Sequence, residues 1–181
     1  MLAPDDFKTL LATPEPPELG PGPRAGVQPL AALRRALDGS FAGRPLVHAA
    51  VLLWHDHFEA AHEICQDVET PEGSWVHGIL HRREPDYGNA RYWFRRVGRH
   101  EAFPELARRV GQIIQARAGD QPALARLVVG GSWDALAFVE VCEQAMFRRD
   151  ARQIFMLREI QAAEFSVLLE HLSGTAWPAS A

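Results

Sequence analysis

Lysine is all but missing from this chain: Lys8 is the only one, and arginine supplies the rest of the positive charge. The 19 basic residues are outnumbered by 23 acidic ones, for a net charge of −4, so there is no general attraction to nucleic acid. Cysteine is scarce too. Cys65 and Cys142 each fall in an apolar helical stretch, which excludes a disulfide framework and reads as two reduced core thiols. No apolar run is long enough to cross a bilayer. The N-terminal stretch MLAPDDFKTLLATPEPPELG has no basic start before an apolar segment, so no signal peptide is expected and the expected location is the cytoplasm. Alternating strand patterns and internal repeats are also missing.

What is present is a chain of 181 residues, 47% hydrophobic and 23% charged, enough for one domain with a sizeable core. Residues 1–29 hold seven of the 13 prolines, and from Pro14 to Pro29 the Pro/Gly density forbids regular helix. This segment reads as an extended arm that either lies on the domain or has no fixed structure, with a short helical piece around Asp5–Leu11. A single helical domain is expected over 30–172 and a loose tail over 173–181, where Trp177 is a candidate to dock. The fold class is all-α, a multi-helix bundle.

Helical periodicity places the elements. Leu30, Leu33, Ala36 and Leu37 start the first helix, which Asp38-Gly39-Ser40 ends. Pro45 opens a long helix whose seam is Val47, Ala50, Val51, Trp54, Phe58, Ala61, Cys65 and Val68, in steps of three and four. Thr70 caps and Pro71 opens the next helix, which ends before Pro85. Asp86 caps a helix over Tyr87–Val97 that Gly98 stops. Further helices are expected at Pro104–Ala118, Pro122–Val128, Trp133–Arg148 (capped by Ser132) and Asp150–Leu172.

One position after each main seam residue of the long helix runs a second stripe, His55, Glu59, His62, Gln66 and Glu69, spaced four, three, four, three. It holds metal-ligand and proton-transfer types and no lysine or arginine. The following helix carries Ser74, His77, His81 and Glu84 at three, four, three. His77 and His81, at i and i+4, can chelate one ion, and Gly78 between them permits close approach of another helix. His62, Gln66, His77 and His81 are therefore expected to face one another. Glu59-x-x-His62 matches half of a di-iron carboxylate motif, but no second copy exists. The alternative is a set of buried histidines that hold helices together through hydrogen bonds without chemistry.

The segment from Arg82 to His100 is unusual in another way. It interleaves Tyr87, Tyr92, Trp93 and Phe94 with Arg82, Arg83, Arg91, Arg95, Arg96 and Arg99. Such interleaving can bind nucleic acid, and Arg95…His100 has the Arg-x4-His shape of some helical ribonucleases. The acidic overall balance instead favours aromatic packing and solvated arginines. Arg82 and Arg83, beside the histidines, are expected to clamp a carboxylate or phosphate of a substrate.

The runs Trp54-His-Asp-His-Phe-Glu-Ala-Ala-His62-Glu63, Ser74-Trp-Val-His77-Gly-Ile-Leu-His81-Arg-Arg-Glu-Pro-Asp-Tyr-Gly-Asn-Ala90 and Tyr92-Trp-Phe-Arg-Arg-Val-Gly98 resemble a family of uncharacterised bacterial and fungal proteins. More distantly, Phe58…His62-Glu63 with Gly88-Asn89 resembles small helical proteins with a Phe/Tyr…His-Glu signature. The resemblance implies a helical fold with a shared polar centre at His62, His77 and His81. It implies no activity or cofactor.

The functional expectation is a small metal-dependent or acid–base enzyme. His62, His77 and His81 are its candidate ligands for one divalent ion (Zn, Fe, Mn or Ni), and Glu59 or Glu84 its catalytic carboxylate. Arg82 and Arg83 would hold a small anionic substrate. Two other readings are an RNA-binding or RNA-cleaving domain and a non-catalytic interaction module. The last rests on the final helix, apolar along both Ile154–Leu157–Phe165–Leu168–Leu172 and Met156–Ile160–Ala163–Val167, which needs a central position or a partner such as a second copy in a homodimer.

Overall fold

The computed structural model describes residue 7 and residues 9–22, 24–117 and 122–174. Asp5, Trp177 and most of the expected tail lie outside the described residues. From Leu30 onward the described chain is helical apart from one short hairpin, as expected of an all-α bundle. The helices are α1 (Leu30–Ser40), α2 (Pro45–Trp54), α3 (Phe58–Cys65), α4 (Pro71–Arg83), α5 (Tyr87–Val97), α6 (Phe103–Arg117), α7 (Pro122–Ala125), α8 (Ala135–Arg148) and α9 (Ala151–Ser173). No helix among the described residues is long and apolar enough to cross a membrane.

The caps written in the sequence operate as local physics requires. Thr70 Oγ1 accepts from Gly73 N at 3.1 Å, and Asp86 Oδ1 accepts from Asn89 N at 3.1 Å. Gly98 and Gly174 end α5 and α9 with φ of 61° and 66°, a region that glycine enters without penalty. Between α7 and α8 the expectation of helix alone fails. Val128–Val129 pairs antiparallel with Ser132–Trp133 around Gly130-Gly131, both at positive φ, the two-residue turn that suits hairpin twist. Asp134, rather than Ser132, caps α8 by accepting from Ala137 N at 2.9 Å.

The long helix expected from Pro45 is also divided. It breaks at His55-Asp56-His57, where Asp56 adopts φ of 64°. The left-handed conformation is costly for most side chains but within reach of aspartate. Here it is held from outside. Asp56 Oδ1 accepts from Arg83 Nη2 at 2.5 Å and Oδ2 from Arg24 Nε at 3.2 Å, while Arg24 and Arg83 also donate to the last carbonyls of α2, at Trp54 and Leu53. The seam survives the break: Val47, Ala50, Val51, Trp54, Ala61 and Cys65 are all buried.

The N-terminal arm lies on the domain. Leu10, Leu11 and Leu19 are buried within the common core. Its carbonyls are caught by side chains from the bundle: Arg83 Nε donates to Glu18 O at 2.9 Å, Gln161 Nε2 to Pro17 O at 3.0 Å, and Arg158 Nη2 to Pro16 O at 2.7 Å. His55 closes the near end, with Nδ1 accepting from Gln28 N at 3.2 Å and Nε2 donating to Leu10 O at 2.6 Å.

Helix α9 takes the central position that its two apolar faces require, with Met156, Leu157, Ile160, Phe165, Val167, Leu168 and Leu169 all buried. Gln161 and Glu164 face inward and are matched by Arg82. Its Nη2 donates to Glu164 Oε2 at 2.5 Å and Gln161 Oε1 at 3.2 Å, and Trp75 Nε1 donates to Glu164 Oε1 at 3.1 Å. Gly78 lets α4 and α5 close on each other, since a Cβ there would meet the Phe94 ring at 2.9 Å.

Candidate metal centre

The two helices carrying the histidines bring three imidazoles together. Helix α3 contributes His62, and α4 contributes His77 and His81 one turn apart. Ring centroids lie 4.8 Å apart for His62 and His77, 5.8 Å for His62 and His81, and 4.9 Å for the stacked His77 and His81. One nitrogen of each lies within 4.8 Å of the others. Tetrahedral ligands about 2.0–2.1 Å from an ion sit roughly 3.3 Å apart, so modest ring rotations would close the set.

Burial tunes these rings. His77 is 3% exposed and neither ring nitrogen has a hydrogen-bond partner, a state that costs about 1–3 kcal/mol per orphaned group. Burial, reinforced by His81 and His62, pushes its pKa down to about 4. Burial also lowers His81, against the opposing pull of Glu84 and Asp86. Both rings are therefore neutral near neutrality, the form a metal requires. His81 Nδ1 stands 3.1 Å from Glu84 Oε2, an ion-pair distance without hydrogen-bond alignment. A carboxylate behind an imidazole is the usual arrangement for orienting a ligand. Beside the rings opens a cleft of about 390 Å³ lined by Glu59, His62, Glu63 and Glu84.

Other members of the expected stripes lie elsewhere. The break at Asp56 takes His55 out of the His62 face, and both its nitrogens are spent on the arm. Gln66 is exposed at the C-terminal end of α3, and Glu69 lies beyond it. Arg82 and Arg83 do not line the cleft. Both are 0% exposed, one paired with Glu164 and the other with Asp56, so the substrate clamp expected of them is replaced by two structural ion pairs. The cause is their position on α4, facing α9 and the α2–α3 break.

Sequence reasoning passed over Trp93. Its indole stacks on His77 with centroids 4.0 Å apart and planes within 12°, and Arg96 lies over it at 5.3 Å. The sequence offered only part of the signal: Gly78 marked a close helix approach beside His77, and that α5 makes it through Phe94 is seen in the structure. Glu63, one residue after His62, was passed over as a lining residue in the same way.

A second cluster joins Glu72, His100 and His171, whose candidate ligand atoms also lie within 4.8 Å of one another. Its hydrogen bonds argue against a metal. His100 Nδ1 accepts from Ala102 N at 3.2 Å, so the neutral ring carries its proton on Nε2 and donates to Glu72 Oε1 at 3.4 Å. Ligation through Nε2 would force that proton onto Nδ1, against the Ala102 N–H. His171 Nε2 meets the same Glu72 oxygen at 3.4 Å. Burial works to raise the Glu72 pKa, but its own backbone N–H, Thr70 and the two imidazoles bring it below the ordinary value. The cluster ties α4, the α5–α6 connection and α9 together. The His100 side chain is 4% exposed and both its nitrogens are engaged.

Compared with protein families, curated proteins and solved structures, the chain matches none.

Proposed function

We propose that this chain is a mononuclear metalloenzyme of hydrolytic type, with one divalent ion held by His62, His77 and His81. The observation that carries this reading is the neutral, partnerless His77 packed against two further imidazoles within ligand range. An all-imidazole set suits zinc, with nickel and iron next. Three protein ligands beside an open cleft is the catalytic pattern rather than the closed four-ligand structural one. The ion would supply Lewis acidity toward an oxygen in the cleft. Glu59 or Glu84 would serve as general base, with Glu84 also orienting His81.

Substrate class follows from the walls. Glu59, Glu63 and Glu84 line the cleft with no arginine among its lining residues, so a small neutral or cationic substrate fits better than an anion. Calorimetric titration of the metal-free chain with Zn²⁺ tests the site. One equivalent with a Kd of about 1 μM or tighter supports the reading. Singly replacing His62, His77 or His81 by Ala is expected to weaken binding about 100-fold, whereas binding unaltered by all three changes overturns it.

A further inference from the structure

The turn that joins α8 to α9 carries the barest large apolar side chain among the described residues. Phe147 is 89% exposed, and Phe155, early in α9, is 56% exposed. Single apolar residues on a surface are ordinary, but two aromatic rings on one turn, flanked by charge of one sign, form a pattern. Arg148, Arg149 and Arg152 stand between them, all exposed, and none has an ion pair among the described residues. The neighbouring carboxylates are already answered: Glu140 by Arg126, Glu143 by Arg91 and Glu159 by Arg117. Asp150, the one acid within the turn, caps α9, its Oδ1 accepting from Gln153 N at 3.0 Å. Arg149 closes α8 in the left-handed region, at φ of 55°, where glycine would stand without penalty.

We infer that this turn docks on an anionic lipid surface. Phe147 and Phe155 enter the boundary between headgroups and acyl chains, and the three guanidiniums donate to lipid phosphates. Two features favour this occupant. The exposure of Phe147 is that of a protruding side chain: a protein partner needs a matching pocket for it, whereas a lipid surface yields to it. A second copy pressed face to face would set Arg148, Arg149 and Arg152 against their own counterparts, a like-charge juxtaposition that opposes pairing. The contact is peripheral, since no described helix is long and apolar enough to cross a membrane, and it is independent of the proposed metal centre.

Co-sedimentation of the full-length chain with vesicles tests it. Phosphatidylcholine vesicles carrying phosphatidylglycerol at about one lipid in three are expected to bind the chain, at least about tenfold more tightly than phosphatidylcholine alone, and to release it at high salt. All five side chains are exposed, so their variants are expected to fold normally and to leave Zn²⁺ binding unchanged. The double variant F147S/F155S is expected to weaken vesicle binding about tenfold, and R148Q/R149Q/R152Q about 100-fold. R149G separates docking from structure: it relieves the left-handed backbone, so the denaturation midpoint should hold or rise while vesicle binding falls about fivefold. R95Q/R99Q, which removes exposed charge from the end of α5, is expected to leave vesicle binding in place. No binding to the anionic vesicles overturns the inference, as does equal binding to phosphatidylcholine alone. It is also overturned if F147S/F155S and R148Q/R149Q/R152Q bind as the native chain does, or if R95Q/R99Q loses as much as R148Q/R149Q/R152Q. Self-association abolished by F147S/F155S, without vesicle binding, would give the face to a second copy instead.

Discussion

Trp93 and His77 lie face to face, their ring centroids 4.0 Å apart and their planes within 12°. The contact fixes the plane of the most buried ring in the histidine cluster and places a natural fluorophore beside the proposed ion. Co²⁺ bound at His62, His77 and His81 should therefore quench tryptophan emission, and W93F should lose most of that quenching while still binding the ion. Undiminished quenching in W93F would place the ion elsewhere. Replacing Trp93 by Leu, which cannot stack, should weaken metal binding about tenfold by freeing the ring.

Gly78 sets the separation that makes the stack possible. Its Cβ-less backbone faces the Phe94 ring, which an added methyl would meet at 2.9 Å. Gly78→Ala should cost about 1–3 kcal/mol of stability through overpacking. It should also shift Trp93 relative to His77. Chemical denaturation measures the first effect, and the Co²⁺ quenching ratio the second. A fully stable variant with native quenching would show that α4 and α5 do not pack this closely.

The Arg24–Asp56–Arg83 junction holds both the helix break and the arm. Asp56→Ala leaves the fully buried Arg83 without its carboxylate, and breaking a buried pair in this way costs about 3–5 kcal/mol. The expected outcome is a lower denaturation midpoint and faster proteolysis in the arm. A midpoint unchanged by Asp56→Ala would mean that Arg83 finds another partner.

Stability of the metal-free chain should fall with acidification before most carboxylates titrate. His77 has its pKa lowered from 6.5 to about 4, and burial also lowers His55. Below pH 6.5 the unfolded chain gains protons that these folded imidazoles refuse, so unfolding becomes easier. For His77 the stabilisation is complete above about pH 6.5 and is lost by about pH 4, at most about 3 kcal/mol. Urea unfolding between pH 7.5 and 4.5 measures it. His77→Gln should flatten the slope. A slope unchanged by that substitution would remove His77 from the account.

How far the sequence carried this structure depends on which forces act locally. Thr70, Asp86 and Gly98 set helix ends through their own neighbours, and each is where the pattern placed it. The His77–His81 pair was legible because helical spacing alone aligns it, and His62 because the seam beside it survived the break. The break itself was not legible. Periodicity continues across His55-Asp56-His57, and what turns Asp56 into the left-handed region is Arg83, 27 residues away. Arg82 and Arg83 were misplaced for a related reason. Arginine on a helix reads as solvent-facing until Gln161 and Glu164, inward on a helix that forms last in sequence, are known to await one of them. The Val128–Trp133 hairpin went unseen because two-residue strands have no period to detect, although Gly130-Gly131 marked its turn.

Elemental analysis of the chain purified without a histidine tag tests the central claim most directly. The account predicts about one transition-metal ion per chain, zinc foremost, with the content falling to background when His77 is replaced by Ala in a variant that still folds. A folded native chain that carries no such ion, and takes up none on exposure to zinc, nickel or iron, would contradict it.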